Sequence, residues 1–262
     1  MKFNIDGEEE RRSYSLSSAP FDKVLRICVK RVEDGLISNY MCDNLKEGDR
    51  VSIMPPDGRF TFKPDAERQT QYYLFAAGSG ITPIMSIIRE VLEEEPLSSV
   101  YLLYGNTLEN RVIYASELDD LTDKYAGQFY IIHAYSGKEE KKGIFASLFK
   151  KSTIDLPYFP GRISDATIKK FLGIHAIQNP QLAQSYICGP GDMNEDVKDI
   201  LLKQSFLKKN IHIESFGTTE PEEKKKVQGG DTSTVFVQLD GEEIEMQIDK
   251  SVTVLEALLD KG

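Results

Sequence analysis

Residues 76–90, AAGSGITPIMSIIRE, carry the sharpest chemical signal in the sequence. Their two glycines, Gly78 and Gly80, would let the backbone approach a ligand closely between an apolar strand and a helix. Thr82 is predicted to cap that helix, and Pro83 to be its first residue. Because free N–H groups and the helix dipole favour an anion, the turn is a candidate phosphate site. The alternative is an ordinary strand-to-helix turn, for which one glycine would suffice.

This turn differs from the usual dinucleotide-binding fingerprint, because a proline stands where that fingerprint has its third glycine. The next predicted strand ends in Tyr104, Gly105 and Asn106, so no acidic residue is placed to bind a ribose. A dinucleotide bound here would therefore require a different variant of the fold.

Two further strand ends carry reactive side chains. The stretch YICGPGDM (186–193) is a second glycine-rich junction, and Cys188 would lie at the carboxyl end of its strand. The stretch IHIESFG (211–217) places Glu214 and Phe216 on one strand face. Open α/β sheets bind ligands at such ends, so the cysteine and the carboxylate are candidates for catalysis. The alternatives are an inert packed cysteine and a solvated carboxylate.

The segment RRSYSLSS (11–18) combines cationic, aromatic and hydroxyl groups in a strand-like pattern. Alternation would divide them between one face with Arg12, Tyr14 and Leu16 and another with Ser13, Ser15 and Ser17. Taken alone, the segment favours an exposed edge strand whose charges discourage aggregation.

The elements that must position these groups change in character along the chain. Before residue 64 the sequence reads as short strands of a small β-sandwich or β-barrel, interrupted by the helix LISNYMCDNL. The candidate strands are KFNID, RRSYSLS, KVLRICVKRV, RVSIMPP and RFTF.

From about residue 71 apolar strands alternate with helices. The alternation predicts an α/β domain whose parallel sheet has right-handed crossovers, and the apolar runs indicate strands buried on both faces. The five predicted strands are QYYLFAAG, SVYLLYGN, QFYIIHAYS, QSYICGPG and NIHIESFG, with four helices between them.

Residues 218–233 are polar and charged and are predicted to form a linker. A predicted hairpin with its turn at Asp240-Gly241 and the start of a helix follow. A hairpin and one helix cannot bury a stable core alone, so we expect the beginning of a third domain that has been cut short.

Composition limits the class of protein. The net charge of −10 over 262 residues argues against nucleic acid as the main partner. No apolar run reaches the roughly 18 residues of a transmembrane helix, and the N-terminus lacks the apolar core of a signal peptide. Cys28, Cys42 and Cys188 are too far apart in sequence for a metal site or a disulfide framework, which suits a reducing cytoplasm. The histidines lack zinc or triad spacing, and His133 is expected in the core.

In their order along the chain, these motifs resemble the ferredoxin–NADP reductase superfamily, and within it the reductase components of phenylacetyl-CoA oxygenase (epoxidase) systems. The resemblance covers essentially the whole chain. It implies a truncated Greek-key FAD-binding β-barrel at 1–67 without its N-terminal strands, and an α/β NAD(P)-binding domain at 68–217. After the linker at 218–233, it implies the start of a β-grasp [2Fe–2S] ferredoxin-like domain at 234–262.

The resemblance also assigns flavin contacts. RSYS matches the family's R-x-Y-S/T motif, in which Arg12 would pair with the FAD pyrophosphate, Tyr14 would pack on the isoalloxazine and Ser15 would bond near flavin N5. CVK (28–30) and GLIS (35–38) match the second set of flavin contacts, with Ser38 at the pyrophosphate. The full implied set is Arg12, Ser13, Tyr14, Ser15, Val29, Lys30, Gly35, Leu36, Ile37, Ser38 and Phe216.

GSGITP and CGPG match the family's two nicotinamide-dinucleotide loops, with Ser15, Cys188 and Glu214 as the implied catalytic residues. The implied coenzyme contacts are Gly78, Gly80, Thr82, Pro83, Tyr104, Gly105, Asn106, Arg111, Cys188, Gly189, Pro190, Gly191 and Met193. Arg111 is the only cation of residues 107–118, so it is the candidate partner of the NADPH 2′-phosphate and favours NADPH over NADH. The alternative is a surface pair with Glu109 or Glu117.

The function implied by the resemblance is an FAD-dependent NAD(P)H oxidoreductase that passes single electrons through an iron–sulfur domain to an oxygenase, in phenylacetate degradation. The alternatives are a reductase for another oxygenase, a flavohaemoglobin-like domain, and a redox-inert nucleotide-binding regulator. The sequence ends before the family's C-x4-C-x2-C…C ligands, so [2Fe–2S] is expected only if the rest of that domain is present.

Overall fold

The computed structural model describes residues 1–5, 7–137, 158–216, 232–239 and 242–249. The chain divides into two compact units, Met1–Phe216 and Gly217–Gly262. Each unit is described by itself.

The first unit begins with a small antiparallel sheet of β1 (Lys2–Ile5) and β2 (Glu8–Arg11), followed by the helix α1 (Leu36–Asn44). Buried side chains of Phe3, Ile37 and Met41 hold the sheet and the helix together. The helix confirms the sequence prediction for LISNYMCDNL.

Most of the other strands predicted before residue 64 are wrong for the described residues. The motif segment leaves the strand at Arg11, and the later segments contribute only the isolated bridges Leu16–Ile27 and Lys2–Ser52. RFTF forms no strand. Serine hydroxyls compete for the backbone here, since Ser18 Oγ accepts the N–H of Arg26 at 3.1 Å. These segments therefore lack the regular backbone hydrogen bonds of a β-strand.

The centre of the first unit is a six-stranded parallel sheet with strand order β6-β5-β4-β3-β7-β8. Its strands are β3 (Gln71–Ala77), β4 (Ser99–Asn106), β5 (Phe129–Tyr135), β6 (Tyr158–Pro160), β7 (Gln184–Cys188) and β8 (Ile211–Glu214). The helices between them are α2 (Ile81–Glu94), α3 (Ala115–Lys124), α4 (Asp165–Ile174) and α5 (Gly191–Lys203).

The predicted count of five strands is wrong, because β6 adds a sixth at the edge of the sheet. A strand of three residues is too short to show a periodic pattern in the sequence. Its proline lacks a backbone N–H, which is tolerated because an edge strand pairs on one side only.

Both faces of the sheet are buried, as the apolar runs predicted. One face packs against α2 and α3, with Leu74, Leu102 and Ile88 among its fully buried residues. The other face packs against α4 and α5, with Phe75 and Phe171 in contact at 5.6 Å between ring centroids. The sheet is therefore held rigidly, and its strand ends are fixed platforms for functional groups.

A buried carboxylate ties the sheet to the segment that precedes it. Glu95, which is fully buried, accepts bonds from Arg68 Nη1 at 2.7 Å and from the hydroxyl of Tyr72 at 2.8 Å. Ser98 Oγ and the N–H of Asp65 also donate to it, each at 3.0 Å. Four donors thus compensate a charge that would otherwise be expensive to bury.

The described part of the second unit is an antiparallel pair, β9 (Thr232–Leu239) and β10 (Glu242–Asp249), with Leu239 opposite Glu242. The pair confirms the predicted hairpin, although β9 begins two residues inside the predicted linker. Asp240, Gly241 and the predicted helix after them lie outside the described residues, as do residues 217–231. Among the helices that are described, none is long and apolar enough to cross a membrane.

Candidate functional site

The order of the strands locates a crevice. The chain adds β4, β5 and β6 on one side of β3 and then returns to add β7 and β8 on the other side. The loops after β3 and β7 therefore diverge at the carboxyl ends of neighbouring strands, which is where open α/β sheets bind ligands. Both glycine-rich stretches of the sequence lie at this point.

The loop after β3 starts its helix earlier than the sequence predicted. A short 3-10 helix, Gly78–Gly80, leads directly into α2, with Gly80 as the N-cap and Ile81 as the first residue. The predicted capping role of Thr82 is wrong, because its hydroxyl lies inside the helix and donates to the carbonyl of Ser79 at 2.9 Å. Pro83 is accordingly the third helical residue, where its missing N–H is still tolerated.

Gly80 explains the early start. A Cβ at this position would lie 2.0 Å from the carbonyl oxygen of Cys188, so only glycine fits between the two loops. The backbones of the two loops touch at Gly80, and α2 begins directly after this contact.

Gly78 has a left-handed backbone, with φ of +53°, and its carbonyl accepts the hydroxyl of Tyr104 at 3.0 Å. Lys30 brings a cation to this turn, because its Nζ is 3.8 Å from the place of a Gly78 Cβ. An open turn beside an ammonium group suits a phosphate.

The loop after β7 is equally close-packed. A Cβ at Gly189 would lie 2.4 Å from Cε of Met193, which is buried beneath the loop. Pro190 is the N-cap of α5, and Gly191 is its first residue. The predicted coenzyme residues of this loop therefore lie in contact with one another, beside those of the loop after β3.

A hydrogen bond joins the N-terminal motif to the end of the sheet. Ser15 Oγ donates to Glu214 Oε2 at 3.2 Å, across 199 positions of sequence. Cys188 pairs in register with Glu214 on neighbouring strands, so their side chains leave the same face of the sheet. The structure thus brings together the three residues predicted to be catalytic.

Burial changes the pKa values of Glu214 and Cys188. It raises the pKa of the Glu214 carboxyl, and the bond from Ser15 opposes the rise. Burial, and then the charge of Glu214, raises the pKa of Cys188 to about 12. Cys188 is therefore an uncharged thiol near neutral pH and is no thiolate nucleophile, whereas Glu214 holds a proton to higher pH than an exposed glutamate.

The other motif residues line the surface of the first unit. Arg12 is exposed, donates to the carbonyl of Arg11 at 2.7 Å and lies 3.5 Å from Glu10. Tyr14 packs beside the Phe3 cluster, and burial raises the pKa of its phenol. A hollow of about 570 Å³ lies beside the motif and is lined by Met1, Lys2, Arg11, Arg12, Ser13 and Met54.

The second predicted flavin segment forms the start of α1, with Gly35 as its N-cap. Ser38 is buried, accepts the N–H of Val32 at 3.1 Å and contacts the carbonyl of Gly35 at 3.3 Å. Its hydroxyl therefore stabilises the turn. Val29 and Ile37 face the Phe3 cluster, whereas Leu36 is exposed.

Arg111, the residue predicted to bind the 2′-phosphate of NADPH, is exposed in a 3-10 turn, Glu109–Arg111. Glu117, one of its two alternative partners, is bound instead by Arg89 at 3.0 Å. Within the described ranges no ion pair joins Arg111 to Glu109 or Glu117. At the end of β4 nearby, Gly105 packs against Ile163 and Asn106 is buried.

Known proteins share this arrangement. The family models for the oxidoreductase FAD-binding domain and the oxidoreductase NAD-binding domain match residues 1–62 and 74–199. A component of the 1,2-phenylacetyl-CoA epoxidase of Escherichia coli K12 is 32% identical over 264 residues, with 100% of this chain and 70% of that relative covered. The chain belongs to the ferredoxin–NADP reductase superfamily.

Another relative in this superfamily is the ferredoxin reductase component of the 3-ketosteroid-9-alpha-monooxygenase of Mycolicibacterium smegmatis, which is 34% identical, with 96% of this chain and 65% of that relative covered. The chain thus spans about two thirds of the length of these two relatives.

Solved structures agree on the fold. The FAD/NAD-binding domain of nitric oxide dioxygenase from Vibrio cholerae has a TM-score of 0.63 and 26% identity, with 82% of each chain covered. Ferredoxin–NADP+ reductase from Plasmodium falciparum has a TM-score of 0.61 and 22% identity, with 80% of this chain and 78% of that chain covered, and shows a likeness of fold.

As a member of the ferredoxin–NADP reductase superfamily, the chain is an FAD- and NAD(P)H-dependent oxidoreductase, and its residues fit both groups. Gly78 and the nearby Lys30 ammonium form an open cationic turn suited to phosphate, and the exposed guanidinium of Arg12 borders the hollow described above. In the part of the chain that is described, no group of three or more His, Cys, Asp or Glu residues could hold a metal ion.

Two functional candidates in this reductase were missed by the sequence reading. Arg89 binds Asp22 at 2.9 Å as well as Glu117, and so joins the N-terminal region to α2 and α3. Asn194 joins the loop after β7 to the end of β8. Neither has a sequence signal, because a polar residue on an amphipathic helix is normally solvated. His133 is buried with its pKa lowered to about 4, which confirms its prediction as a core residue.

Proposed function

We propose that this chain is the reductase component of an oxygenase system, with an oxygenase acting on phenylacetyl-CoA as the first candidate partner. It would take a hydride from NAD(P)H onto FAD and pass single electrons through a [2Fe–2S] domain to the oxygenase. The observation that carries the proposal is the Ser15–Glu214 hydrogen bond, which joins the flavin motif to the nicotinamide crevice. The phenylacetyl-CoA epoxidase relative supports the choice of partner.

FAD supplies, when bound, a ring that accepts a hydride and releases electrons singly. The protein's part is to orient and protonate. The guanidinium of Arg12 and the ammonium of Lys30 would bind phosphates, and Tyr14 would pack on the flavin. Glu214 would hold a proton at its carboxyl, and Ser15 Oγ would pass that proton between the carboxyl and the flavin side of the crevice. The neutral thiol of Cys188 would fill the space beside the nicotinamide and keep water out.

The iron–sulfur step would depend on the second unit. The second unit contains the β9–β10 pair, as the start of a ferredoxin-like domain would, but Cys28, Cys42 and Cys188 all precede it. A cluster would therefore need cysteines outside these 262 residues. All three cysteines are free, which agrees with a reducing compartment such as the cytoplasm.

A second candidate is a reductase domain of the flavohaemoglobin type. It is favoured by the match to Flavohemoprotein B of Dictyostelium discoideum, which is 30% identical over 229 residues, although only 48% of that relative is covered. Both candidates share the same flavin chemistry and differ in the acceptor, so reduction of a purified oxygenase against reduction of haem distinguishes them.

The flavin step is tested by stopped-flow reduction. We expect the FAD-loaded protein to lose its yellow colour on anaerobic addition of NADPH or NADH. Glu214→Ala should slow this reduction about 100-fold, because a proton-transfer group is lost, and Cys188→Ala about tenfold, with FAD still bound. Cys42→Ala, at an exposed cysteine of α1, should behave as the parent. Bound flavin that neither coenzyme reduces would instead indicate the redox-inert regulator.

Flavin affinity tests the assignment of Arg12. Arg12→Ala should weaken FAD binding by about 10- to 100-fold, because a charge-assisted bond to the pyrophosphate is lost. Fluorescence titration of the apoprotein measures the change. Arg31→Ala is the matched control, since Arg31 is an exposed arginine already paired with Asp43 at 2.8 Å. Equal affinity of the Arg12 variant and the parent would show that the pyrophosphate lies elsewhere.

Coenzyme choice tests Arg111. We expect the parent to prefer NADPH in kcat/KM, because Arg111 has no ion pair among the described residues and its guanidinium can bind the 2′-phosphate. In Arg111→Ala the preference for NADPH should fall about tenfold, because KM for NADPH rises. Arg111→Lys should retain much of the preference, because it keeps the charge. A parent that uses both coenzymes equally, or a preference that survives Arg111→Ala, contradicts the assignment.

A further inference from the structure

Asn194, in the first turn of α5, makes a cross-link that the superfamily assignment does not explain. Its Nδ2 donates to the carbonyl of Gly189 at 3.0 Å and to the hydroxyl oxygen of Ser215 at 3.0 Å. The carbonyl of Glu214 lies 3.5 Å from the same nitrogen. The side chain thus joins the loop after β7 to the end of β8.

The surroundings of this amide determine its orientation. Asn194 is 2% exposed, and three oxygen atoms surround its nitrogen. Turning the amide over would place an oxygen against two carbonyl oxygens, so the nitrogen must face them. Among the described residues, no hydrogen-bond donor reaches the buried Oδ1 atom.

The two joined segments carry the residues of the proposed reaction. Gly189 directly follows Cys188, and Ser215 directly follows Glu214. β8 ends at Glu214, and Ser215 and Phe216 are exposed, so sheet pairing alone does not hold them. A bond from Asn194 to each segment sets the separation between the thiol and the carboxylate.

We propose that Asn194 is a positioning residue that holds the end of β8 against the loop after β7 and so maintains Glu214 in its half-buried place, hydrogen-bonded to Ser15. The inference rests on the proposed flavin reduction. Asn194 touches neither coenzyme nor flavin in this role and acts through Glu214.

The structure offers a matched control at the opposite end of the same strands. Asn210 is also buried, and its Nδ2 donates to the carbonyls of Gln181 at 2.9 Å and Ala183 at 3.1 Å. It precedes β8, whereas Asn194 acts at the end of β8. Replacing either asparagine removes two similar bonds, but only one of them lies at the crevice.

The test compares Asn194→Ala, Asn194→Asp and Asn210→Ala in the FAD-loaded full chain by stopped-flow reduction with NADPH. Both Asn194 variants should reduce flavin about tenfold more slowly, with the coenzyme Kd changed less than threefold. The aspartate is nearly isosteric but cannot donate. In Asn194→Ala the pH midpoint of reduction should fall, because water reaching Glu214 returns its pKa towards the ordinary value. Asn210→Ala should retain the parent's rate and midpoint.

Two measurements separate positioning from general loss of structure. Asn194→Ala added to Glu214→Ala should slow reduction no further than Glu214→Ala alone, because the residue acts through the carboxylate. Hydrogen exchange at the amides of Ile213 and Glu214, which end the β8 ladder, should quicken at least tenfold in Asn194→Ala and stay unchanged in Asn210→Ala. Parent-like rates, multiplicative effects in the double variant, or unchanged exchange at these amides overturn the inference.

The exchange measurement does not depend on activity. A parent that neither coenzyme reduces contradicts the proposed function, and faster exchange confined to the end of β8 in Asn194→Ala still supports the positioning role. If exchange is also unchanged, both the function and the positioning role are wrong.

Discussion

Gly80→Ala is expected to destabilise the first unit by about 3 kcal/mol or more and to abolish coenzyme-dependent flavin reduction. The added Cβ would lie 2.0 Å from the carbonyl oxygen of Cys188 and 2.6 Å from its carbon, and both are backbone atoms of a central strand. A flexible side chain could turn away, but β7 cannot move without breaking its pairing with β3, where Ala76 lies opposite Cys188. The two loops must separate, and the crevice between them changes shape.

Urea denaturation and stopped-flow reduction measure the two effects. Gly173→Ala is the control, because Gly173 lies in α4 with nothing within 4 Å of its added Cβ. That substitution should stabilise the protein by about 0.5–1 kcal/mol through helix propensity, with reduction unchanged. A Gly80→Ala protein as stable and as active as the parent would falsify the close approach of the two loops.

Glu95→Ala is expected to lower the free energy of unfolding by about 3–5 kcal/mol, because each buried donor left without an acceptor costs about 1–3 kcal/mol, whereas the Arg68 side chain, 34% exposed, can turn to water. The variant leaves Arg68, Tyr72 and Ser98 without their common acceptor, and the N–H of Asp65 also loses its partner. Two of these donors, Arg68 and Asp65, lie in the segment leading into the sheet, so its attachment loosens together with the end of α2.

Denaturant unfolding followed by circular dichroism measures the loss. Glu93→Ala is the matched control in the last turn of α2, since Glu93 lies at the exposed surface, where it pairs with Lys124 at 3.4 Å and accepts the hydroxyl of Tyr125. Exposed pairs contribute little, so this variant should unfold with the parent. A Glu95 variant that unfolds at the same midpoint as Glu93→Ala would contradict the account of the buried network.

The α/β part of the first unit was predictable because its signals are local. The strands β3, β4, β5, β7 and β8 are apolar runs between turn residues, and each intervening helix has its own apolar stripe. The N-terminal region was less predictable. Its serine-rich segments have strand-like alternation, but a strand also needs a partner at the right distance, and alternation says nothing about partners.

The site was predictable in part. The two glycine-rich loops and ESF were candidates from their residue types, whereas RRSYSLSS taken alone favoured an exposed edge strand. The family resemblance linked all of them to one chemistry. The start of α2 was misjudged because Thr82 and Pro83 favour a helix start locally, whereas the carbonyl of Cys188 against Gly80 decides where the helix begins.

The sequence by itself determined the alternation of strands and helices in the sheet domain and the residue types of the crevice, because periodicity and turn chemistry act over a few residues. The tertiary structure alone decided that Ser15 bonds to Glu214, that Asn194 links the loop after β7 to the end of β8, and that Tyr158–Pro160 forms an edge strand. These features depend on contacts between segments brought together by the sheet, and local pattern contains no information on which distant partner a side chain meets.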